Sequence, residues 1–241
     1  MTIEAAIAAI RDRAPRRVVA FTGAGVSAES GIPTFRGAGG LWRRYRAEDL
    51  ATPEAFARDP ALVWEWYEWR RELIRAAEPN AAHRALARLP DATIVTQNVD
   101  GLHAGAGAAN VIELHGNVFR VRCVREGTVR DARDAFEQLP PRCRCGAMLR
   151  PDVVWFGEML PEEALARAAA EIEAADLLLV IGTSGVVHPA AGLVSLHRGL
   201  SIDINPQASA VSAACTFAIA ATAADAVPRL VEALLEVSHV R

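Results

Sequence analysis

Apolar positions in this chain come in short runs, rich in β-branched residues, that end abruptly at glycine or polar residues. The first is residues 17–21 (RVVAF), which stops at Gly23; others occupy 93–96, 111–114, 177–181, 201–204 and 217–219. Runs of this length bounded by turn signals predict strands buried on both faces. Alanine-rich stretches suited to helices lie between many of them, among them 161–175 and 228–237, and the first 17 residues read as an amphipathic helix. Buried strands alternating with helices predict the α/β class, with a doubly wound, Rossmann-like parallel sheet. Two stretches break the rhythm: 41–75, rich in Trp and Arg, and 118–150, which holds three of the four cysteines. Both are expected to build a small domain inserted into a large one made from approximately 1–40, 76–117 and 151–241.

Composition narrows the chemistry. A chain of 241 residues buries a substantial core without disulfide staples. No apolar run approaches the ~20 residues of a membrane-spanning helix. The N-terminal charges follow the apolar residues, the reverse of a signal peptide, so a cytoplasmic protein without membrane contact is expected. A net charge of −3 gives no bulk attraction for nucleic acid, and Arg142, Arg144 and Arg150 read as a solvated face. All 26 basic residues are arginine. The absence of lysine excludes a Walker-type phosphate loop and every Schiff-base mechanism that uses a side-chain amine.

Three segments carry chemistry. Gly23, Ala24, Gly25, Val26, Ser27 and Ala28 follow a predicted strand and fit a glycine fingerprint in which small residues let a pyrophosphate approach backbone N–H groups. The acidic ribose ligand that a dehydrogenase places about 20 residues on is missing; the chain continues instead through Thr34, Phe35 and Arg36 in a Gly- and Pro-rich loop that reads as a binding lid. Gln97, Asn98, Val99 and Asp100 lie just past a strand end, where open α/β sheets collect ligands. His115 lies past another, with a side chain suited to taking a proton at neutral pH. Taken singly, each segment also fits an ordinary turn, cap or packed histidine.

The ordered set GAGVSAESGIPTFRG (from Gly23), TQNVDGLH (from Thr96), ELHG (from Glu113), LRPDVVWFGE (from Leu149) and GTSGVVHPA (from Gly182) closely resembles the sirtuin (Sir2) family of NAD-dependent protein deacylases, from Val18 to Val237. The resemblance implies that NAD is consumed, giving nicotinamide, O-acyl-ADP-ribose and free lysine, with His115 as general base and Asn98 and Asp100 beside it. It places the pyrophosphate and the lid at Gly23 to Trp42, the nicotinamide and ribose pocket at Gln97, Asn98, Val99 and Asp100, phosphate and ribose at Gly182, Thr183 and Ser184, and the adenosine end at Asn205, Pro206, Gln207 and Ala223. The segment Val154, Trp155, Phe156, Gly157 and Glu158 would offer a strand edge to a substrate peptide, whose acylated lysine belongs to another protein. A monomer is expected.

Tyr67 and Arg70, three apart on a predicted helix, share a face and together could hold a carboxylate. This Tyr-x-x-Arg resembles the class III branch that removes succinyl and malonyl groups, and Ala51 resembles the small residue that widens its acyl pocket. Desuccinylation and demalonylation, with deacetylation as a slower activity, are the expectation; the alternative is an aromatic helix that merely packs. The family's zinc site uses two Cys-x-x-Cys pairs, and this chain departs from it. Cys123 is followed three residues later by Glu126, and the second pair is Cys143 and Cys145. Either three thiolates and Glu126 hold zinc, or packing alone holds the small domain. Cys215 reads as a buried core residue. Rival functions are a dehydrogenase, a non-catalytic NAD sensor and an ADP-ribosyltransferase, which separate by product.

Overall fold

The computed structural model of the protein describes residues 2–34 and 45–239. Its first part runs α1 (Ile3–Arg13), β1 (Val18–Thr22), a 3-10 segment (Ala24–Ser30), α2 (Ala47–Leu50), α3 (Pro53–Arg58), α4 (Pro60–Ala76) and α5 (Ala81–Ala87). There follow β2 (Thr93–Thr96), α6 (Leu102–Gly105), β3 (Val111–Glu113), β4 (Gly116–Cys123), β5 (Val129–Asp131) and β6 (Leu149–Val153). The chain then forms α7 (Glu162–Glu173), β7 (Leu177–Ile181), a second 3-10 segment (Ala190–Leu196), β8 (Leu200–Asn205), β9 (Phe217–Ala220) and α8 (Ala223–His239).

All six apolar runs enter one parallel sheet of order β3-β2-β1-β7-β8-β9. Winding reverses between β1 and β7, the point at which such sheets open a crevice at their carboxyl ends. Strand alternation explains the near-continuous apolar sequence. Val18 and Ala20 pack toward α1, α5 and α8, whereas Val19 and Phe21 pack toward α7 and the 190–196 segment. Every residue of β7 is fully buried, each large side chain contributing roughly 1.5–3 kcal/mol by burial.

A third core joins α2, α3 and α4 to a three-stranded antiparallel sheet of order β5-β4-β6. Trp64 fills it and donates its indole N–H to the Leu149 carbonyl at 2.8 Å. Arg71, also fully buried, ion-pairs with Glu68 at 3.0 Å and donates to the carbonyls of Val118, Ala132 and Asp134, so a charge that would be costly alone becomes a staple between α4 and β4.

One helix boundary differs from the sequence expectation. The last helix begins at Ala223 rather than at Pro228, which lies inside it. Thr222 starts it instead, its carbonyl accepting from the Ala226 amide and its hydroxyl donating to Asp225, while Ala226 and Val227 are drawn into the core.

Candidate active site

Register brings the separate segments together. Thr22 of β1 lies opposite Thr96 of β2 and Ile181 of β7, and Ile181 lies opposite Ile204 of β8. The strands therefore end close to one level, and Gly23, Gln97 and Gly182, just past three of them, form one row with Asn205, the last residue of β8. The ladder continues into that row: Gly23 donates to the Ile181 carbonyl at 3.0 Å, Gln97 to Thr22 at 2.9 Å, and Gly182 to Ile204 at 3.0 Å. Above it opens a cleft of about 850 Å³.

One end of the cleft rests on a backbone crossing. The Gly25 amide donates to the Gly182 carbonyl at 2.8 Å, and a Cβ on Gly25 would lie 2.7 Å from the Gly182 Cα. Gly182, at φ +60°, has no room either, since its Cβ would meet the Val26 nitrogen at 2.4 Å. Only glycine lets these two turns touch. The crossing leaves a narrow cradle lined by Gly23, Ala24, Gly25, Gly182, Thr183 and Ser184, suited in shape to a diphosphate. The segment after Gly23 is 3-10 rather than the α-helix a dinucleotide fingerprint usually opens. Asn205, Pro206, Gln207 and Ser209 continue the wall. Asp203, beneath it, accepts from Asn205 at 2.7 Å, from Ser209 at 3.0 Å and from Ser212, which fixes the Asn205 amide.

The central floor is a polar relay below the lining. Asn98 donates from Nδ2 to the Ser27 hydroxyl at 3.1 Å, and Ser27 donates to Asp100 Oδ2 at 2.7 Å. The other Asp100 oxygen accepts from the Leu102 amide at 2.9 Å. Burial pushes the Asp100 pKa up, against those hydrogen bonds and the charge of Arg70. His83 closes the relay: its Nδ1 accepts from the Asn80 amide, so its Nε2–H faces Ser27 at 3.4 Å. Its ring lies 4.7 Å from that of His103, whose Nε2 is 3.0 Å from Thr22. Burial depresses both histidines, His83 to about 4 and His103 to about 3, so both are neutral props.

His115 lines the cleft, half-buried, with Nδ1 2.8 Å from the Gln97 carbonyl. A carbonyl only accepts, so the ring proton sits on Nδ1 and Nε2 keeps its lone pair. Burial pushes the pKa of His115 below the ordinary histidine value, the Gln97 hydrogen bond acting in the opposite direction. Gln97 is itself held, its side-chain amide donating to Thr183 at 3.0 Å.

At the far end, Tyr67 and Arg70 of α4 line the cleft together with Ala51, Glu48 and Trp66. Tyr67 accepts a hydrogen bond from the Trp155 indole at 2.9 Å, and burial pushes its pKa up to about 12, so it stays a phenol. Arg70 lies over the Trp66 ring at 5.1 Å. The adjacent Arg71 points away into the small core.

Not every residue singled out from the sequence lines the cleft. Ala28 is exposed and outside the lining, Ser27 and Asp100 lie behind it, and Ala223 is buried at the start of α8. Phe35, Arg36 and Trp42 lie outside the described residues. Val154, Phe156 and Gly157 do line it, but as a turn rather than a strand: β6 ends at Val153, the Val154 amide donates to His115 and that of Phe156 to Ala51. Those two amides are therefore unavailable to an added strand. The sequence reading missed Glu48, Trp66 and the 186–189 segment, which also line the cleft. For Trp66 the helical spacing to Tyr67 and Arg70 held the signal.

The cysteine cluster is separate. The Sγ atoms of Cys123, Cys143 and Cys145 and a Glu126 carboxylate oxygen all lie within 4.8 Å of one another. Cys123 and Cys145 are 3.5 Å apart and Cys143 is 3.6 Å from Glu126, close to the roughly 3.7 Å edge of a tetrahedron around zinc. Two turns shape it, Gly127 donating to the Cys123 carbonyl and Gly146 to that of Cys143, both at 2.9 Å. The Glu126 amide donates to Cys123 Sγ and holds that thiol below its usual pKa. Three thiols with one carboxylate at these separations are a donor set that could hold zinc.

Comparison with known proteins agrees with this geometry. Residues 23–189 match the model of the Sir2 family. An "NAD-dependent protein deacylase 2" of Pyrobaculum aerophilum is 54% identical over 226 residues, covering 90% of each chain. Among solved structures, a Sir2 homolog in complex with NAD superposes with a TM-score of 0.88 at 46% identity, covering 97% of this chain and 94% of that one. A mutant Sir2 homologue bound to 2'-O-acetyl ADP-ribose gives 0.90 at 46% identity, covering 97% and 96%.

Proposed function

The chain belongs to the Sir2 family, and from that premise we propose that it is an NAD-dependent protein-lysine deacylase of the class III type, removing succinyl and malonyl groups in preference to acetyl. The observation that carries this reading is the meeting of His115, the Gly23 to Gly25 cradle and the Tyr67 and Arg70 pair in one cleft. Deacylation in general calls for the first two and the succinyl and malonyl preference for the third, for which a dehydrogenase or a passive sensor has no use.

When bound, NAD supplies an electrophilic ribose carbon that takes up the acyl oxygen as nicotinamide leaves. The residues of this chain hold and shape the site for that exchange. Gly23 and Gly25, whose amides are engaged by Ile181 and Gly182, would leave room for the diphosphate, Ala24, Thr183 and Ser184 would line its cradle, and Asn205, Pro206 and Gln207 would bound the adenosine end. Asn98, whose side-chain amide donates to Ser27, lines the cleft where positive charge would develop, with Asp100 behind Ser27. His115, with Nε2 unprotonated, accepts a ribose hydroxyl proton. Phe35, Arg36 and Trp42 are assigned to the lid by family resemblance alone.

Ala51 leaves width for a longer acyl chain, and the phenol of Tyr67 with the guanidinium of Arg70 meets its terminal carboxylate. Val154, Phe156 and Gly157 border the peptide, whose backbone pairs with groups other than the two amides already engaged. Cys123, Cys143, Cys145 and Glu126 would hold zinc and so tie the end of β4 to the segment before β6, and we place the two-domain division at the boundaries read from the sequence. No helix among the described residues is long and apolar enough to cross a membrane. We assign the protein to the cytoplasm as a monomer acting on acylated lysines of other proteins, without nucleic acid or membrane contact.

The deciding experiment measures nicotinamide release from NAD with matched acetyl-lysine and succinyl-lysine peptides, following peptide mass in the same tube. Faster loss of the succinyl group supports the whole reading. Release only with acetyl-lysine keeps the deacylase and discards the acyl preference, and release with neither removes both.

A further inference from the structure

We propose that Trp155 is a specificity-determining residue of this cleft, acting as the positioning group that forces the Tyr67 hydroxyl to donate toward the acyl chain. The proposal rests on the acyl preference assigned above to Tyr67 and Arg70 and adds the device that gives the phenol its polarity.

A phenol both donates and accepts, so on its own Tyr67 is equally suited to a carbonyl, a hydroxyl or an amide. An indole nitrogen only donates. The Trp155 Nε1–H lies 2.9 Å from the Tyr67 oxygen, both side chains being 3% exposed, so Tyr67 must accept there and turn its own proton elsewhere. Tyr67 lines the cleft, and Arg70 follows one helical turn later. The pair then presents donors only, which suits a carboxylate and leaves a neutral methyl group without a partner.

Trp155 is itself fixed on every side. The Arg150 guanidinium lies over its ring at 3.4 Å and is clamped by two parallel hydrogen bonds to Glu158 at 2.6 and 2.8 Å. The same Glu158 accepts from the Trp155 backbone amide at 2.9 Å, and Phe56 packs against the indole at 5.2 Å. Arg150, read from sequence as part of a solvated face, is instead mostly buried under the acyl end. Arg150 and Glu158 thus orient Trp155, and Trp155 orients Tyr67. Of these residues only Tyr67 and Arg70 are assigned to meet the acyl carboxylate.

The test is Trp155→Phe, which keeps an aromatic ring between Arg150 and Phe56 and removes the N–H. The ratio of kcat/KM for succinyl-lysine over acetyl-lysine peptide is expected to fall about tenfold, through the succinyl KM rather than kcat. Combining Trp155→Phe with Tyr67→Phe is expected to lower that ratio no further than Tyr67→Phe alone, since both act through one hydroxyl. An unchanged ratio, or additive losses, would overturn the positioning role. If Arg70→Met collapses the ratio while Trp155→Phe does not, the acyl pocket stands and this inference falls. If the unmodified enzyme prefers acetyl-lysine, the acyl reading falls first and takes the inference with it. Should Trp155→Phe not fold, the indole N–H resonance of Trp155 in ¹⁵N-labelled protein decides: it is expected to shift in Tyr67→Phe, and an unmoved resonance would overturn the hydrogen bond itself.

Discussion

The Nδ1 atom of His115 lies 2.8 Å from the carbonyl oxygen of Gln97, the first residue beyond β2. The relationship sets the tautomer before any substrate arrives, and it ties the base to the same segment that supplies Asn98 and Asp100. His115→Ala is therefore expected to keep NAD affinity within a few-fold while slowing deacylation by roughly 10²–10⁴, the usual worth of a general base. Titration calorimetry with NAD and peptide mass under turnover check it; normal turnover would remove the assigned role.

Tyr67→Phe and Arg70→Met are each expected to lower the succinyl-to-acetyl ratio of kcat/KM, by about tenfold for the first and about a hundredfold for the second, because a charged partner is worth more than a neutral one. Equal losses on both peptides would make them packing residues.

Zinc analysis of the intact protein is expected to find one equivalent, and chelation to lower Tm. Glu126→Ala should weaken zinc retention and Glu126→Cys should preserve it, since both thiolate and carboxylate are zinc donors. Metal-free protein of unchanged Tm would return the cluster to simple packing.

Stability should fall on mild acidification. His83 and His103 are depressed to about 4 and about 3 by burial, against the ordinary histidine value of 6.5. Between these limits the unfolded chain binds protons that the folded one refuses, so stability is fully present above about pH 6.5 and is lost as pH falls toward 4 and then 3, at up to roughly 1.4 kcal/mol per pH unit for each ring. Denaturant unfolding at pH 7 and pH 5 measures the slope, and His83→Asn should reduce it. A slope unchanged in that variant would contradict the assignment.

The parallel sheet was legible because each strand is a buried apolar run with a sharp polar end, and ends close to one level are what turn linear motifs into a cleft. The small antiparallel sheet was not read, because β4 alternates Val118, Val121 and Cys123 with Arg120 and Arg122, whose charges pair with Asp152 across the sheet. The pocket around Tyr67 was half legible. Helical spacing placed Arg70 beside it, but the Trp155 bond joins positions 88 residues apart and has no local trace. The three cysteines and Glu126 were each visible, and only folding decided whether the carboxylate could reach the thiols.

Position 71 has a consequence for how far the cleft wall can be altered. Its guanidinium is sealed in the small core and anchors α4 to three carbonyls, while the next position N-terminal to it faces the cleft. Anchorage and display are thereby divided between neighbouring side chains. A replacement at 70 would change the wall and leave the mount in place, whereas Tyr67, packed in the same core and bonded to Trp155, belongs to both.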